Sequence, residues 1–136
     1  MKILFICKHN KFRSKVGEAI FNKLNKNKKI TVESAGIIGS QHQTPKSVIN
    51  ILKEKGYKIK RKDAKRVDSI TINNYDMIVI AADNVDPLFF KDSFKGKIIW
   101  WKITDCMDTD LEGIKIRVNE IEENVKKLVK ELTIKI

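Results

Sequence analysis

The sequence predicts an open α/β sheet with parallel strands and helices on both faces. Two observations carry this. Met77-Ile78-Val79-Ile80-Ala81-Ala82 and Ile98-Ile99-Trp100-Trp101 are apolar runs without polar alternation, as expected of strands covered on both sides in a parallel sheet. Between such runs lie segments whose apolar residues recur at helical spacing, so strand and helix alternate along the chain.

The elements follow in order. Lys2 to Ile6 is a short run of strand formers, and Val16, Ala19, Ile20 and Leu24 then follow at helical spacing, giving strand, loop, helix. Ile30 to Ser34 reads as the second strand. Thr44-Pro45 predicts a cap with proline at the first helical position, opening a helix that turns Val48, Ile51 and Leu52 inward and stops at Gly56. After the third strand, Asp83 is expected to cap a helix beginning near Asn84. Trp100 and Trp101, adjacent on the fourth strand, are expected to face opposite sides as core or sheet cover. In the last helix Val118, Ile121, Val125, Leu128, Val129 and Leu132 make one apolar stripe.

The 136 residues suffice for one domain, 1–136, with a real core. No apolar run approaches the roughly 18 residues that span a bilayer, and Ile3 to Cys7 is too short for a signal-peptide core, so no membrane role and a cytoplasmic location are expected. Lys plus Arg number 28 against 17 Asp plus Glu, a net charge of +11, which favours anionic partners. The basic tracts Asn22 to Lys29 and Lys53 to Arg66 read as solvated faces. Ala35 to Gln43 and Asp105 to Gly113 are the loops long enough to approach a ligand. With only Cys7 and Cys106, the chain has neither a disulfide framework nor a four-cysteine zinc site. His9 and His42 lack the companions a metal needs, so neither metal nor cofactor is expected.

The informative segment is Cys7-Lys8-His9-Asn10-Lys11-Phe12-Arg13-Ser14, which joins the first strand to the first helix. In this architecture ligands lie beyond the carboxyl ends of strands. A loop of this length can turn its N–H groups around one tetrahedral anion, and the helix adds the positive end of its dipole. Arg13 would grip two oxygens in a planar fork. Cys7 would face the centre as a thiolate favoured by the same donors, and Ser14 would donate to its sulfur. Lys8 and Lys11 would raise the local potential, or stand as solvated rim residues. A Walker cradle is excluded, since the loop has no glycine and no Gly-Lys-Ser/Thr ending. Asp105, four residues past the fourth strand, is the chosen proton donor for a leaving oxygen, with Asp108 and Asp110 as substitutes.

On these residues the chain resembles the low-molecular-weight protein tyrosine phosphatases and their relatives, the thioredoxin-coupled arsenate reductases, over nearly its whole length. Cys7 to Ser14 looks like the family's phosphate loop, with Asn10 matching its asparagine, so Lys8, His9, Asn10, Lys11, Phe12, Arg13 and Ser14 are the expected phosphate-binding set. Glu33-Ser34-Ala35-Gly36 is similar to the segment whose serine supports that asparagine. Asp76 to Asp83 resembles the third strand, and Trp101-Lys102-Ile103-Thr104-Asp105 the approach to the acid. The resemblance implies a four-stranded parallel sheet in the order 2-1-3-4, catalysis by Cys7, Arg13 and Asp105, and support from Ser34.

The chain departs from the family pattern where Cys106, not proline, follows Asp105. The tyrosines that flank the phosphatase cleft are absent from Met107 to Asp110, and Phe12 stands where eukaryotic members carry a second loop cysteine. The leading expectation is hydrolysis of a phosphomonoester, on a phosphorylated protein or a small aryl phosphate, through a phosphocysteine, with inorganic phosphate and other oxyanions as inhibitors. Arsenate reduction is the alternative. It needs a resolving thiol, for which only Cys106 is present, and an external thiol to finish the relay. A basic module binding anions or nucleic acid without turnover is a third, although no aromatic-basic interleaving, zinc finger or helix-turn-helix spacing supports it.

Overall fold

The computed structural model describes residues 1–38, 42–68 and 71–135, the side chain of residue 135 excepted. Four strands, β1 (Lys2–Cys7), β2 (Thr31–Gly36), β3 (Met77–Ala81) and β4 (Lys97–Trp101), form one sheet in the order β2-β1-β3-β4. Every neighbouring pair is parallel. The order places β1 between β2 and β3, so the loop leaving Cys7 opens at the middle of the sheet's carboxyl edge. All of β3 is buried, which is why its sequence lacks alternation.

Both faces carry helical cover, of different kinds. On one, α1 (Arg13–Leu24), α2 (Lys46–Glu54) and α3 (Leu111–Lys135) join Ile3, Phe5, Met77 and Val79 in a single apolar cluster. On the other, Leu4, Ile6, Ile78 and Ile80 are covered by one-turn 3-10 helices and their flanks, through Ile72, Val85, Phe90 and Phe94. The paired tryptophans divide as expected. Trp101 sits 5.9 Å from the Phe5 ring in the first cluster, while Trp100 is half-exposed and donates from its indole nitrogen to the Ala82 carbonyl at 2.8 Å.

Two local expectations are corrected. No α-helix starts near Asn84: the chain makes only the 3-10 turn Pro87–Phe89, capped by the Asp86 carboxylate accepting from the Leu88 N–H at 2.9 Å. Pro87 explains this, because the residue before a proline is pushed out of the α region, and Asp86 sits at ψ 132°. Likewise Pro45 is not the first helical residue. It lies at ψ 147° as the N-cap, and the Thr44 hydroxyl makes no cap, donating instead to the Lys62 carbonyl at 3.4 Å. The stop of α2 is as expected. Gly56 lies at φ 87°, its N–H donates to Lys53 and that of Tyr57 to Leu52, a Schellman ending that needs a left-handed residue.

Candidate active site

Cys7 is the last residue of β1 and is buried, and Arg13 opens α1. The helix has no side-chain cap and no acidic residue in its first turn. Phe12, at the N-cap, cannot supply a capping oxygen, and its ring lies in the core, so its part in the loop is its backbone. An N-terminus left this way presents unsatisfied N–H groups and positive potential to any anion above Cys7.

Asn10 locks the loop. It is buried and holds the left-handed value φ 55°, a region asparagine tolerates better than most residues. Its two amide hydrogens go to the Ser14 hydroxyl at 2.8 Å and the Ser34 hydroxyl at 3.0 Å, while its oxygen accepts the Lys65 backbone N–H at 2.8 Å. Ser34 passes its own hydrogen to Glu18 Oε1 at 2.5 Å. Since the Ser14 oxygen is already accepting from Asn10, its hydrogen is free for Cys7 Sγ, 2.9 Å away. Ser34 therefore stands where the resemblance puts it, in contact with Asn10.

Gly36 closes the other side. A Cβ there would lie 2.8 Å from the Lys8 carbonyl oxygen and 2.9 Å from the Asn10 nitrogen, so the end of β2 approaches the loop backbone as only glycine allows.

Arg13 is 2% exposed. Its Nη1 donates to the Ile103 carbonyl at 2.9 Å, lies 3.5 Å from Asp83 Oδ1, and its Nη2 lies 3.7 Å from Asp105 Oδ2. The structure thus brings Asp105 and the loop together across one guanidinium. Asp83, expected as a helix cap, is instead an ion-pair partner of Arg13, and its N–H shares the Ile103 carbonyl at 2.9 Å.

The Asp105 loop is fastened at several points. Arg117 of α3 donates to the Thr104 carbonyl at 3.2 Å, Asp108 pairs with Lys11 at 3.8 Å, and the Ser47 hydroxyl donates to the Asp108 carbonyl at 2.8 Å. Lys11 thus ties the Asp105 loop to the loop between Cys7 and Ser14, while the Lys8 carbonyl accepts from the N–H groups of Ile37 and Ile38. Asp110, the other substitute, lies further on, with its carboxylate accepting the Gly113 N–H at 2.9 Å.

His9 is half-buried, with its Nδ1 enclosed and unbonded among the described residues and its ring edge-on to His42 at 6.0 Å. Burial first, then Lys8, Lys11 and His42, push its pKa below the ordinary 6.5 against the pull of Asp105, so the imidazole is neutral at pH 7. His42 is exposed, and its ring meets His9 beside the loop that leaves Cys7. Cys106 follows Asp105 and packs partly against the core. Burial raises its thiol pKa, helped by Asp105 and Asp110 and opposed by Arg117 and Arg13.

Sequence reasoning gave no role to Glu18 or Lys65 and read Asp83 only as a cap. Glu18 acts through the Ser34 hydroxyl and Lys65 through a main-chain N–H, while Asp83 pairs with Arg13 at 3.5 Å, and none of these partners is visible in a spacing pattern. Among the described residues, no group of three His, Cys, Asp or Glu is placed to hold a metal ion.

A parallel sheet whose first strand runs into a Cys-x5-Arg-Ser loop, with a carboxylate across the arginine, defines the class of cysteine-based phosphatase-fold enzymes. The model of the low molecular weight phosphotyrosine protein phosphatases matches residues 2–136, and the chain belongs to that family. No curated protein matches the sequence significantly. Among solved structures, an arsenate reductase from Archaeoglobus fulgidus is 32% identical, with a TM-score of 0.77 over 94% of this chain and 98% of its own. A low molecular weight phosphotyrosine phosphatase from Vibrio cholerae is 19% identical at a TM-score of 0.85, over 98% and 97%. An arginine phosphatase from Geobacillus stearothermophilus is 18% identical at a TM-score of 0.82, over 98% and 94%. The last two likenesses concern the fold alone.

Proposed function

We propose that this chain, acting as one catalytic unit over 1–136, hydrolyses phosphomonoesters through a phosphocysteine, with an aryl phosphate or a phosphotyrosine side chain as substrate. The observation that carries this reading is the Asp105 carboxylate standing 3.7 Å from the Arg13 guanidinium, because ester cleavage needs a proton donor facing the anion cradle. The loop N–H groups and the Arg13 guanidinium hold the phosphoryl oxygens as Cys7 attacks phosphorus in line. Asp105 gives its proton to the departing oxygen. It then takes one from water, which attacks the phosphocysteine, releasing inorganic phosphate and the Cys7 thiolate that the Ser14 hydroxyl stabilises. Phosphate and similar oxyanions occupy the same cradle as inhibitors. The reading places the enzyme in the cytoplasm, where free thiols persist.

Arsenate reduction is the second reading, favoured by the 32% identical relative described as an arsenate reductase. Cys7 would displace water from arsenate to bond to arsenic, and Cys106 would then attack the Cys7 sulfur. The sulfur–arsenic bond pair leaves on arsenic as the Cys7–Cys106 disulfide forms, so arsenite departs two electrons richer, and an external dithiol reduces the disulfide to restore both cysteines. Against it stands the raised Cys106 pKa, which leaves little thiolate to resolve the adduct.

One experiment separates the readings: aryl phosphate hydrolysis and arsenate-dependent thiol oxidation measured on the wild type, Asp105→Asn and Cys106→Ser. Hydrolysis should persist in Cys106→Ser. In Asp105→Asn it should fall by roughly 10²–10⁴-fold for poor leaving groups and far less for activated ones. Equal loss for both kinds of leaving group would move the acid's role to Asp108 or Asp110. A Cys7–Cys106 disulfide formed with stoichiometric arsenite would establish the reductase.

A further inference from the structure

We propose that Lys15 is a positioning residue for the Cys7 sulfur, acting through the chain segment 61–65 rather than on a bound anion. The inference rests on Cys7 being the working thiol and adds a residue to its support. Lys15 directly follows Ser14 in the first turn of α1, yet its side chain is buried, with 1% of the residue exposed. Its ammonium donates to the Arg61 carbonyl at 2.7 Å and the Asp63 carbonyl at 2.9 Å. Two residues on, the Lys65 N–H donates to Asn10 Oδ1 at 2.8 Å, and the Lys65 carbonyl accepts the Gly36 N–H at 2.7 Å.

These bonds make a closed circuit. From α1, Lys15 reaches the 61–65 segment, the segment reaches Asn10, Asn10 reaches Ser34, and Ser34 returns to α1 at Glu18. The branch from Asn10 to Ser14 ends on Cys7. The Lys65 N–H fixes which way the Asn10 amide points. Without Lys15 the segment keeps its backbone bonds to Gly36, His42 and Thr44 but loses its tie to α1, so the Lys65 N–H holds the Asn10 amide less firmly and Ser14 accepts a weaker bond from the donor that commits its own hydrogen to sulfur.

Packing alone does not account for a lysine here, since a buried ammonium is costly and a methionine would fill similar space without the charge. Arg61 and Lys65 disfavour the ammonium while Glu18 and Asp63 favour it, and burial, the largest influence, brings its pKa down to about 8. The neutral amine keeps two N–H donors, one for each carbonyl, so the tie survives deprotonation.

The test is the rate of Cys7 alkylation by iodoacetate against pH, in intact Cys106→Ser protein so that one thiol reports. Lys15→Met should move the midpoint up by about one pH unit, which is about tenfold slower alkylation on the acid side, the size expected for weakening a hydrogen bond to a charged sulfur. Lys15→Gln, which keeps an N–H donor on a shorter stem, should fall between. Ser14→Ala should also raise the midpoint, and adding Lys15→Met to it should change nothing further. An unchanged midpoint in folded Lys15→Met, or equal and additive shifts in the double variant, overturns the proposal. If Lys15→Met does not fold, an unchanged midpoint in Lys15→Gln overturns it alone. Because the readout is the thiol, a wild type inactive on aryl phosphates would refute the phosphatase reading while leaving this result standing.

Discussion

Arg13 has its guanidinium among three protein partners. Nη1 is committed to the Ile103 carbonyl and lies beside Asp83, and Nη2 turns toward Asp105. A lysine offers one compact ammonium, which cannot hold the carbonyl and clasp two oxygens together. Arg13→Lys should therefore lower kcat/KM by roughly 10²–10³-fold, the worth of an oxyanion donor, and weaken inhibition by phosphate in parallel. Steady-state kinetics with and without phosphate checks both. Normal phosphate inhibition in that variant would show that the anion sits elsewhere. Asn10 shows how little freedom the site leaves: both its amide hydrogens and its oxygen are used, each by a different part of the chain.

At the scale of elements, the end of β2 and the phosphate loop meet backbone to backbone at Gly36. Gly36→Ala would set a methyl 2.8 Å from the Lys8 oxygen and 2.9 Å from the Asn10 nitrogen, so the loop must move. We expect a loss of about 1–3 kcal/mol in urea unfolding and a fall in turnover well beyond what the lost stability explains. Helices α2 and α3 are joined where the Tyr57 hydroxyl and the Lys55 ammonium, the latter at 3.1 Å, meet Glu122. Burial would raise the Glu122 carboxyl, but these two partners outweigh it and hold the pKa below the ordinary 4.5. The folded state thus prefers the charged form, and the stability gained is full above 4.5 and is lost as pH falls through the folded value. Glu122→Gln should remove that part of the acid sensitivity in urea titrations taken at stepwise lower pH.

The elements differed in how clearly the sequence announced them. Strand, loop and helix over residues 2–24 were plain because a strand covered on both faces is apolar throughout and α1 keeps its inward spacing. Cys7, Arg13 and Ser14 came from that context, and Ser34 from the family resemblance. The segment 61–65 was not legible. Its bonds to Asn10 and Lys15 use main-chain groups that every residue carries, so its composition suggested only a solvated basic face. Asp83 was misassigned for a related reason: nothing in local sequence shows that the Ile103 carbonyl gathers Arg13 and Asp83 at one point.

For the molecule as a whole, the net charge of +11 is expected to draw anionic substrates toward the chain. Attraction over distances beyond a Debye length, about 10 Å at 0.1 M salt, is screened as salt is added. For an activated aryl phosphate, kcat/KM should fall several-fold with rising ionic strength while kcat changes little. A phosphopeptide with acidic neighbours should show the steeper dependence, and equal slopes would mean that the basic surface does not guide encounter.

The one-sided arrangement of the α-helices also orders events during synthesis. Ile114, Val118, Ile121, Val125, Leu128 and Leu132 of α3 complete the cluster that α1 and β1 begin, yet they are made last of the described elements. At about 5–20 residues per second, the 25 residues of α3 take about one to five seconds to be made after β4 is complete. Until α3 docks, the sheet face that carries Ile3, Phe5, Met77 and Val79 lacks its last partner, so the cluster stays open to misassociation although every strand around Cys7 has been made.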